Sequence, residues 1–172
     1  TASNECVSAA AGIPVISIGA RHVHPSVAGV MDYAATVGGC VSCSTTLGAK
    51  LAGTTPMGSI SPNIALIMGD TVRAMQSFEK HMPPEISRVA PVSVIKDETE
   101  ESISLAKTLR QRLRGVILDA GYTRGGVSPH TVKEVRARLD LAGYSHVEIF
   151  VRGNLNGERI KEFVDQGAPV NA

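Results

Sequence analysis

The strongest candidates for chemistry are three polar residues that follow an apolar segment near the start of the chain. The segment "IPVISIGA" (13–20) has the composition of a buried strand, and Arg21, His22 and His24 come directly after it. An arginine can bind a phosphate or carboxylate through two parallel hydrogen bonds, and a histidine can donate or shuttle a proton. The spacing predicts an anion-binding site, with a polar loop that caps the next helix as the alternative.

A second candidate is Asp119, which ends the apolar run "GVIL" (115–118). A carboxylate at the carboxyl end of a parallel strand can bind Mg²⁺ or sugar hydroxyls. An Asp followed by Ala120 and Gly121 is also typical of a turn that the Asp side chain closes. The residues alone leave both interpretations open.

Three further patterns are less specific. Cys40 and Cys43 could join the nearby histidines in a zinc site, but two small hydrophobic residues on a packed strand is the better interpretation. The segment "GTTPMGSISP" (53–62) places Gly, Ser and Thr ahead of a helix, where N–H groups and hydroxyls can hold a phosphate. The same residues are equally typical of the start of a helix with no ligand. The segment "KDETEES" (96–102) is interpreted as a solvated helix start.

Short apolar segments alternate with amphipathic ones, which is typical of βα units around a parallel sheet. Pro91 predicts that its strand is irregular or lies at a sheet edge. The predicted strands are 13–20, 39–44, 88–95, 115–119 and 147–153, and the predicted helices are 25–38, 45–53, 63–82, 97–113, 128–143 and 156–167.

Polar residues follow nearly every predicted strand, and neither a dinucleotide-binding nor a P-loop motif is present. This pattern favours an α/β fold of the (β/α) barrel, TIM-like type, whose working face is the carboxyl end of the strands. Only about six βα units fit, against the roughly 250 residues of a whole barrel. The missing units indicate a fragment, or a barrel completed by other segments.

Composition narrows the class of partner. The chain has 17 basic and 16 acidic residues, a formal net charge of +1, and 3% aromatic residues. This balance gives no reason to expect nucleic acid or a membrane surface as partner, and no apolar run approaches the length of a membrane span. We expect a soluble cytoplasmic protein with an aliphatic core.

Segments spread over almost the whole chain share the pattern of one family. The chain resembles the type II phosphoribosyltransferases, and within them the nicotinate phosphoribosyltransferases of the archaeal and bacterial kind, which are related to quinolinate phosphoribosyltransferase. The segments that carry the resemblance are "GARHVHPSVAGVMDYAATVGGCVSCSTTLGAKLAG", "GDTVRAMQSFEKHMPPE", "KDETEE", "GVILDAG", "KEVRARLDLAGYSHVEIFV" and "GAPVNA".

The resemblance implies transfer of a phosphoribosyl group from phosphoribosyl pyrophosphate (PRPP) to nicotinate. The expected products are nicotinate mononucleotide and pyrophosphate, in NAD biosynthesis. The resemblance also implies Mg²⁺, in many members coupled ATP hydrolysis of the kind that defines a ligase, and a homodimer. It further implies that residues 1–172 are a single central segment of the α/β barrel domain, with an N-terminal domain and the final barrel strands outside it. In such a protein, active sites form between one barrel and the N-terminal domain of the partner.

The resemblance also assigns roles to residues at strand ends. Asp119 is the expected catalytic residue, near the ribose and the metal. The expected substrate- and phosphate-binding residues are Arg21, His24, Ser44, Ser59, Arg152, Gly153 and Asn154.

The chain departs from the family pattern at several of these positions. His22 and Ile117 stand where the family usually has arginines, and Arg152 and Asn154 flank Gly153 where a Ser-Gly-Gly run is usual. Two alternatives therefore accompany the phosphoribosyltransferase interpretation. One is a non-catalytic relative that keeps the fold for binding or assembly, and the other is a barrel enzyme that acts on a different phosphorylated sugar.

Overall fold

The computed structural model describes residues 2–119 and 126–172, with the side chain of Arg21 outside the described part. Strands and helices alternate along it as the sequence predicts. The strands are β1 (Ile16–Ser17), β2 (Ser42–Cys43), β3 (Arg88–Val92), β4 (Leu113–Leu118) and β5 (Glu148–Val151). The helices are α1 (Ala2–Ala9), α2 (Pro25–Val37), α3 (Thr46–Ala52), α4 (Pro62–Met68), α5 (Thr71–His81), α6 (Glu98–Leu109), α7 (Pro129–Leu141) and α8 (Gly157–Asp165), with short 3₁₀ turns at Gly19–His22 and Arg110–Arg112.

The chain divides into two compact units. The first consists of the residues up to Gly58 with 155–166 and Ala172, and the second of 59–154 with 167–171. In the first unit, β1 and β2 form a parallel pair, α2 packs against α3, and α1 packs against α8. Helix α1 has no counterpart among the predicted helices.

The second unit contains a three-stranded parallel sheet in the order β3-β4-β5. Its core is aliphatic, as the composition predicts. The fully buried side chains of the sheet and its covering helices include Val92, Val116, Leu118, Leu105, Leu139 and Ile149. The strand that holds Pro91 lies at the edge of this sheet, and its register shifts between Arg88 and Val89, so both alternatives for this strand are found.

The described strands form these two parallel sheets and no closed barrel. The α/β class with parallel strands is therefore confirmed, whereas the barrel is not. None of the helices in the described residues is long and apolar enough to cross a membrane.

Local sequence explains most element boundaries. Pro129 occupies the first turn of α7, and Ser128 accepts a hydrogen bond from the backbone N–H of Thr131, which is ordinary N-terminal capping. The predicted helix 63–82 is in fact two helices, α4 and α5. Gly69 ends α4 in the left-handed conformation (φ 68°), and Asp70 caps α5 by accepting from the N–H of Arg73.

Asn171 makes two hydrogen bonds to the outer edge of strand β5. The backbone N–H of Asn171 donates to the carbonyl of Ile149 at 2.8 Å, and the N–H of Ile149 donates to Asn171 Oδ1, also at 2.8 Å. The side-chain amide thus supplies the acceptor that a neighbouring strand would otherwise supply. Both backbone groups of Ile149 on this edge are satisfied.

Candidate functional site

In the second unit, Asp119 and Arg152 form an ion pair at the carboxyl ends of adjacent strands. Asp119 directly follows β4 and Arg152 directly follows β5. Arg152 Nε donates to Asp119 Oδ2 at 2.7 Å, and the backbone N–H of Arg152 donates to the carbonyl of Leu118 at 3.1 Å. The side chain of Arg152 is 15% exposed and that of Asp119 is 28% exposed, so the pair is largely withdrawn from solvent. The parallel ladder between β4 and β5 therefore brings together two of the predicted site residues.

The backbone around this pair adopts conformations that most residues avoid. Ser93, which follows β3, has φ 60°, and Gly153 and Asn154, which follow Arg152, have φ 113° and φ 47°. Left-handed backbone at non-glycine residues costs energy and is found mainly where the surroundings hold it for a purpose. A Cβ on Gly153 would lie 3.2 Å from Asp119 Oδ1, so this position is also tight. The strand-end loops are shaped around the carboxylate of Asp119.

One nitrogen of the Arg152 guanidinium is buried and has no hydrogen-bond partner among the described residues. This nitrogen is Nη2. A buried donor left unpaired costs about 1–3 kcal/mol, so such groups usually serve a ligand or a water. The Arg152 guanidinium can thus hold Asp119 through Nε and donate to an anionic oxygen of a ligand through Nη2.

The loop that follows β3 is organised by a buried glutamate. Glu101 is 3% exposed, and its carboxylate accepts hydrogen bonds from a hydroxyl and three backbone N–H groups. The donors are Thr71 Oγ1 at 2.7 Å and the amides of Val94, Ile95 and Lys96 at 3.1, 3.1 and 3.2 Å. The interpretation of 96–102 as a wholly solvated helix start is therefore wrong for Glu101. This carboxylate therefore fixes the backbone of residues 94–96, which follow β3.

In the first unit, Asp32 is the buried acid at the strand ends. It lies on α2 and is 1% exposed. Ser17 Oγ donates to its Oδ1 at 2.7 Å, and Ser44 Oγ and the N–H of Thr45 donate to its Oδ2 at 3.2 and 2.8 Å. Burial alone would raise the pKa of Asp32, but the hydrogen bonds from Ser17, Thr45 and Ser44 outweigh it and hold the pKa below its ordinary value.

Two of the remaining predicted site residues, His24 and Ser59, have local partners. His24 is the N-cap of α2, with its Nδ1 2.7 Å from Ser26 Oγ and accepting from the N–H of Ser26. Ser59, in the second unit, donates to the carbonyl of Ile60 at 3.2 Å. The backbone of Arg21 belongs to the 3₁₀ turn, and its side chain lies outside the described part. The turn predicted at 120–121 also lies outside the described residues.

The cysteines have the environment of packed core residues. Cys40 and Cys43 are 8% and 0% exposed, and burial raises the pKa of both thiols. In the described ranges, no three His, Cys, Asp or Glu side chains are grouped so that they could hold a metal ion. The zinc alternative therefore gains no support from the described residues.

Sequence reasoning missed Asp32 and Glu101 as organisers of the strand ends. Both lie within helices, and their donors come from distant segments: Ser17 precedes Asp32 by 15 residues, and Thr71 precedes Glu101 by 30. A signal was present in α6, because Glu101 falls on the same helical face as the buried Leu105. A comparable signal marked Asp32, which falls on the same face of α2 as the buried Ala28 and Ala35.

The residues around Asp119 fit Mg²⁺ only if substrate phosphates and water supply most of its ligands. Mg²⁺ is commonly held by one or two carboxylates together with substrate phosphates and water. Asp119 supplies one carboxylate, with Oδ2 already accepting from Arg152. The site therefore fits a magnesium ion that arrives with a phosphorylated substrate, and the described residues do not form an all-protein cage.

Parallel α/β units with polar groups and strained loops at the carboxyl ends of their strands define a class of proteins that bind small ligands there. Comparison with known proteins narrows the class. The family described as "Quinolinate phosphoribosyl transferase, C-terminal domain" matches residues 1–170. The chain belongs to this family, and so to the type II phosphoribosyltransferases.

Two relatives show how far the likeness extends. Nicotinate phosphoribosyltransferase pncB2 of Mycobacterium tuberculosis is 29% identical over 168 residues, which cover 96% of this chain and 35% of that protein. The crystal structure of nicotinate-nucleotide pyrophosphorylase from Pyrococcus furiosus superimposes with a TM-score of 0.92 at 38% identity, over 100% of this chain and 43% of that one. The chain thus spans less than half the length of either relative.

Proposed function

We propose that the protein to which this chain belongs transfers the phosphoribosyl group of PRPP to nicotinate, in NAD biosynthesis. Membership of the family supports phosphoribosyl transfer, and the name of the mycobacterial relative supports nicotinate as acceptor. The observation that carries the proposal is the Asp119–Arg152 pair, in which Nη2 of Arg152 is buried and has no partner among the described residues. This pair combines a fixed negative charge with a donor that an anion can use.

The chemistry asked of these residues is electrostatic. The transfer breaks the bond between C1 of the ribose and the pyrophosphate oxygen and forms a bond between C1 and the pyridine nitrogen. Positive charge develops on the ribose, and the Asp119 carboxylate stabilises it. Arg152 fixes that carboxylate through Nε and donates to a phosphate oxygen through Nη2. Bound Mg²⁺, held by Asp119 and phosphate oxygens, would neutralise charge on the pyrophosphate.

Turnover by the longer protein tests this proposal. With PRPP and Mg²⁺ present, we expect it to consume nicotinate and release pyrophosphate. Asp119→Ala should lower kcat/KM by at least about a hundredfold, since it removes the charge that faces the developing cation. Asp140→Ala is the matched control, because Asp140 is 49% exposed on α7 and pairs only with Arg136 among the contacts described. Unchanged turnover in Asp119→Ala would contradict the role of this residue.

Quinolinate is the second candidate acceptor, and the description of the matching family favours it. Parallel assays with nicotinate and quinolinate separate the two acceptors by their kcat/KM values. A protein that binds PRPP and a pyridine carboxylate in a thermal-shift titration but turns over neither would instead be a non-catalytic relative. Turnover of a different phosphorylated sugar would support the remaining alternative.

The proposed site residues beyond the pair are those of the family pattern. We propose that Arg21, His24, Ser44 and Ser59 also bind substrate, and that Gly153 and Asn154 bind phosphate through the loop after β5. The left-handed backbone of Gly153 and Asn154 supports this role, because such loops direct successive N–H groups to one side. Gly153→Ala should weaken PRPP binding, whereas Gly167→Ala, also at positive φ but with open space around it, should not.

Further properties of the whole protein are also proposed. The resemblance supports a TIM-like barrel for the longer protein. The protein is proposed to be a cytoplasmic homodimer, for which light scattering of the full-length protein is the test. Coupled ATP hydrolysis is proposed as well, and ADP release that depends on nicotinate would support it.

A further inference from the structure

Asp32 fixes the direction of the hydrogen bond that Ser44 can make to a ligand. An ionised carboxylate has only acceptors, so every partner of Asp32 must donate to it. Asp32 is buried among hydrogen bonds from Ser17, Ser44 and Thr45, which favour its ionised form. Ser44 therefore uses its only hydroxyl proton on Asp32 Oδ2. Toward a ligand, Ser44 Oγ can therefore act only as a hydrogen-bond acceptor.

Ser44 is placed where a ligand can use that capacity. It is the first residue after β2, beyond the carboxyl end of the strand, and it is half-buried. Its backbone N–H is already occupied by the carbonyl of Ser17 at 2.9 Å. Ser17, by contrast, lies within β1 and pairs in register with Cys43. Of the two hydroxyls that Asp32 orients, Ser44 is the one that extends past the strands.

The substrates of the proposed reaction differ in what they can donate. At neutral pH the phosphates of PRPP, the carboxylate of nicotinate and its ring nitrogen are all hydrogen-bond acceptors. The ribose hydroxyls are the donors that remain. A serine that can only accept is therefore mismatched to a phosphate or a carboxylate and matched to a ribose hydroxyl.

We propose that Ser44 accepts a hydrogen bond from a ribose hydroxyl of the phosphoribosyl group, and that Asp32 is the positioning residue that orients Ser44 for it. This inference rests on the proposed function and adds to it a specificity for ribose over deoxyribose. It assigns Ser44 to the sugar rather than to a phosphate. It also gives Asp32, which no ligand needs to touch, a role in substrate choice.

Binding of the nucleotide product to the full-length protein tests the inference. Isothermal titration calorimetry would compare nicotinate mononucleotide with its 2′-deoxy and 3′-deoxy forms. We expect the wild-type protein to bind the ribose form about threefold to tenfold more tightly than one of the deoxy forms, the effect of one hydrogen bond. Ser44→Ala should lose that preference, with its affinity for that deoxy form unchanged.

Three further variants separate positioning from folding. Ser44→Cys keeps the size of the side chain but offers a weak acceptor, so it should also lose the preference. Asp32→Asn frees the Ser44 hydroxyl to rotate, so it should reduce the ratio of the affinity for the ribose form to that for the deoxy form. A variant whose fold is merely loosened would bind both forms more weakly by the same factor. Ser17→Ala is the matched control, because it removes the other hydroxyl from Asp32, and it should keep the preference.

The outcomes distinguish the inference from the proposed function. A Ser44→Ala protein that keeps the full preference for ribose overturns the inference and leaves the proposed function standing. So does a Ser44→Ala protein that loses affinity equally for all three nucleotides, since that result would place Ser44 on the phosphate. A wild-type protein that binds none of the three overturns both.

Discussion

Asp32 is a single buried carboxylate that connects three segments of the first unit. Its carboxylate oxygens accept hydrogen bonds from the hydroxyl of Ser17 at the end of β1, the hydroxyl of Ser44 after β2 and the N–H of Thr45 at the start of α3. A carboxylate with this many donors stabilises the native state only while it is ionised. Its effect on stability must therefore depend on pH.

The sign of that dependence follows from the direction of the shift. The pKa of Asp32 is lower in the folded chain than the value of about 3.9 for an unfolded aspartate, so its contribution is complete above the unfolded pKa and is lost as pH falls through the folded one. Asp32→Asn should lower the free energy of unfolding at pH 7 by about 1–3 kcal/mol and by less in acid. Urea unfolding followed by circular dichroism at pH 7 and below pH ~3 measures both.

An exposed aspartate provides the control for Asp32. Asp165→Asn removes a carboxylate that is 57% exposed and pairs with Lys161 on the surface of α8. We expect it to change stability by less than about 1 kcal/mol at pH 7. If Asp32→Asn were equally mild, the buried network would contribute little to stability.

The three cysteines differ in burial, and this difference predicts the order in which they react. Only a thiolate reacts readily, and burial raises the pKa of all three thiols. Cys6 is half-buried, whereas Cys40 and Cys43 are buried. A thiol reagent at pH 7 should label Cys6 first and the other two slowly, and all three rapidly in urea. Mass spectrometry would identify the sites, and rapid native labelling of Cys43 would contradict its described burial.

At the scale of elements, Gly115 sets the distance between β4 and β5. A Cβ at this position would lie 2.5 Å from a ring carbon of Phe150 and 2.8 Å from the carbonyl oxygen of Glu148. Gly115→Ala should therefore push the strands apart and destabilise the protein by about 1–3 kcal/mol. Gly58→Ala, which meets nothing within 4 Å, is the control. Thermal unfolding of the two variants measures the difference, and equal midpoints would contradict the close packing.

Helix boundaries were predictable where the signal is local. Ser128 and Pro129 at the start of α7 act within one turn, and the structure confirms them. The division between α4 and α5 depends on Gly69, which ends α4 in the left-handed conformation. A glycine there is a helix-end signal, but the apolar period continues past it and favoured a single helix. The helical period could have indicated that Glu101 is buried, because it shares a face of α6 with Leu105. It could not indicate the partner Thr71, which is near only after folding.

At the scale of the whole molecule, the sequence predicted the class of fold better than the site. Alternating segments are enough to predict parallel strands, because each strand and helix carries its own period. The Asp119–Arg152 pair joins residues 33 positions apart, and its geometry depends on the register between β4 and β5. The resemblance selected both residues, but it could not indicate that they bond to each other.

The balance of charge predicts a weak response to salt. The formal net charge is +1, and several ion pairs in the described residues are exposed on both sides, such as Lys96–Glu100 at 47% and 54% and Lys161–Asp165 at 66% and 57%. Exposed pairs contribute little and are screened further by salt. We expect the midpoint of thermal unfolding to change by less than about 3 °C between low and moderate salt. A larger fall would mean that the surface pairs stabilise the fold substantially.

The contact between Asn171 and Ile149 also bears on how the protein behaves at high concentration. An open strand edge offers a template on which another chain can add its own strand, and such additions begin aggregation. At Ile149 that template is closed, because the amide and the carbonyl are both engaged by Asn171. A foreign strand would have to displace two short hydrogen bonds before it could extend the sheet there. One asparagine thus acts as a barrier to polymerisation at this point of the sheet.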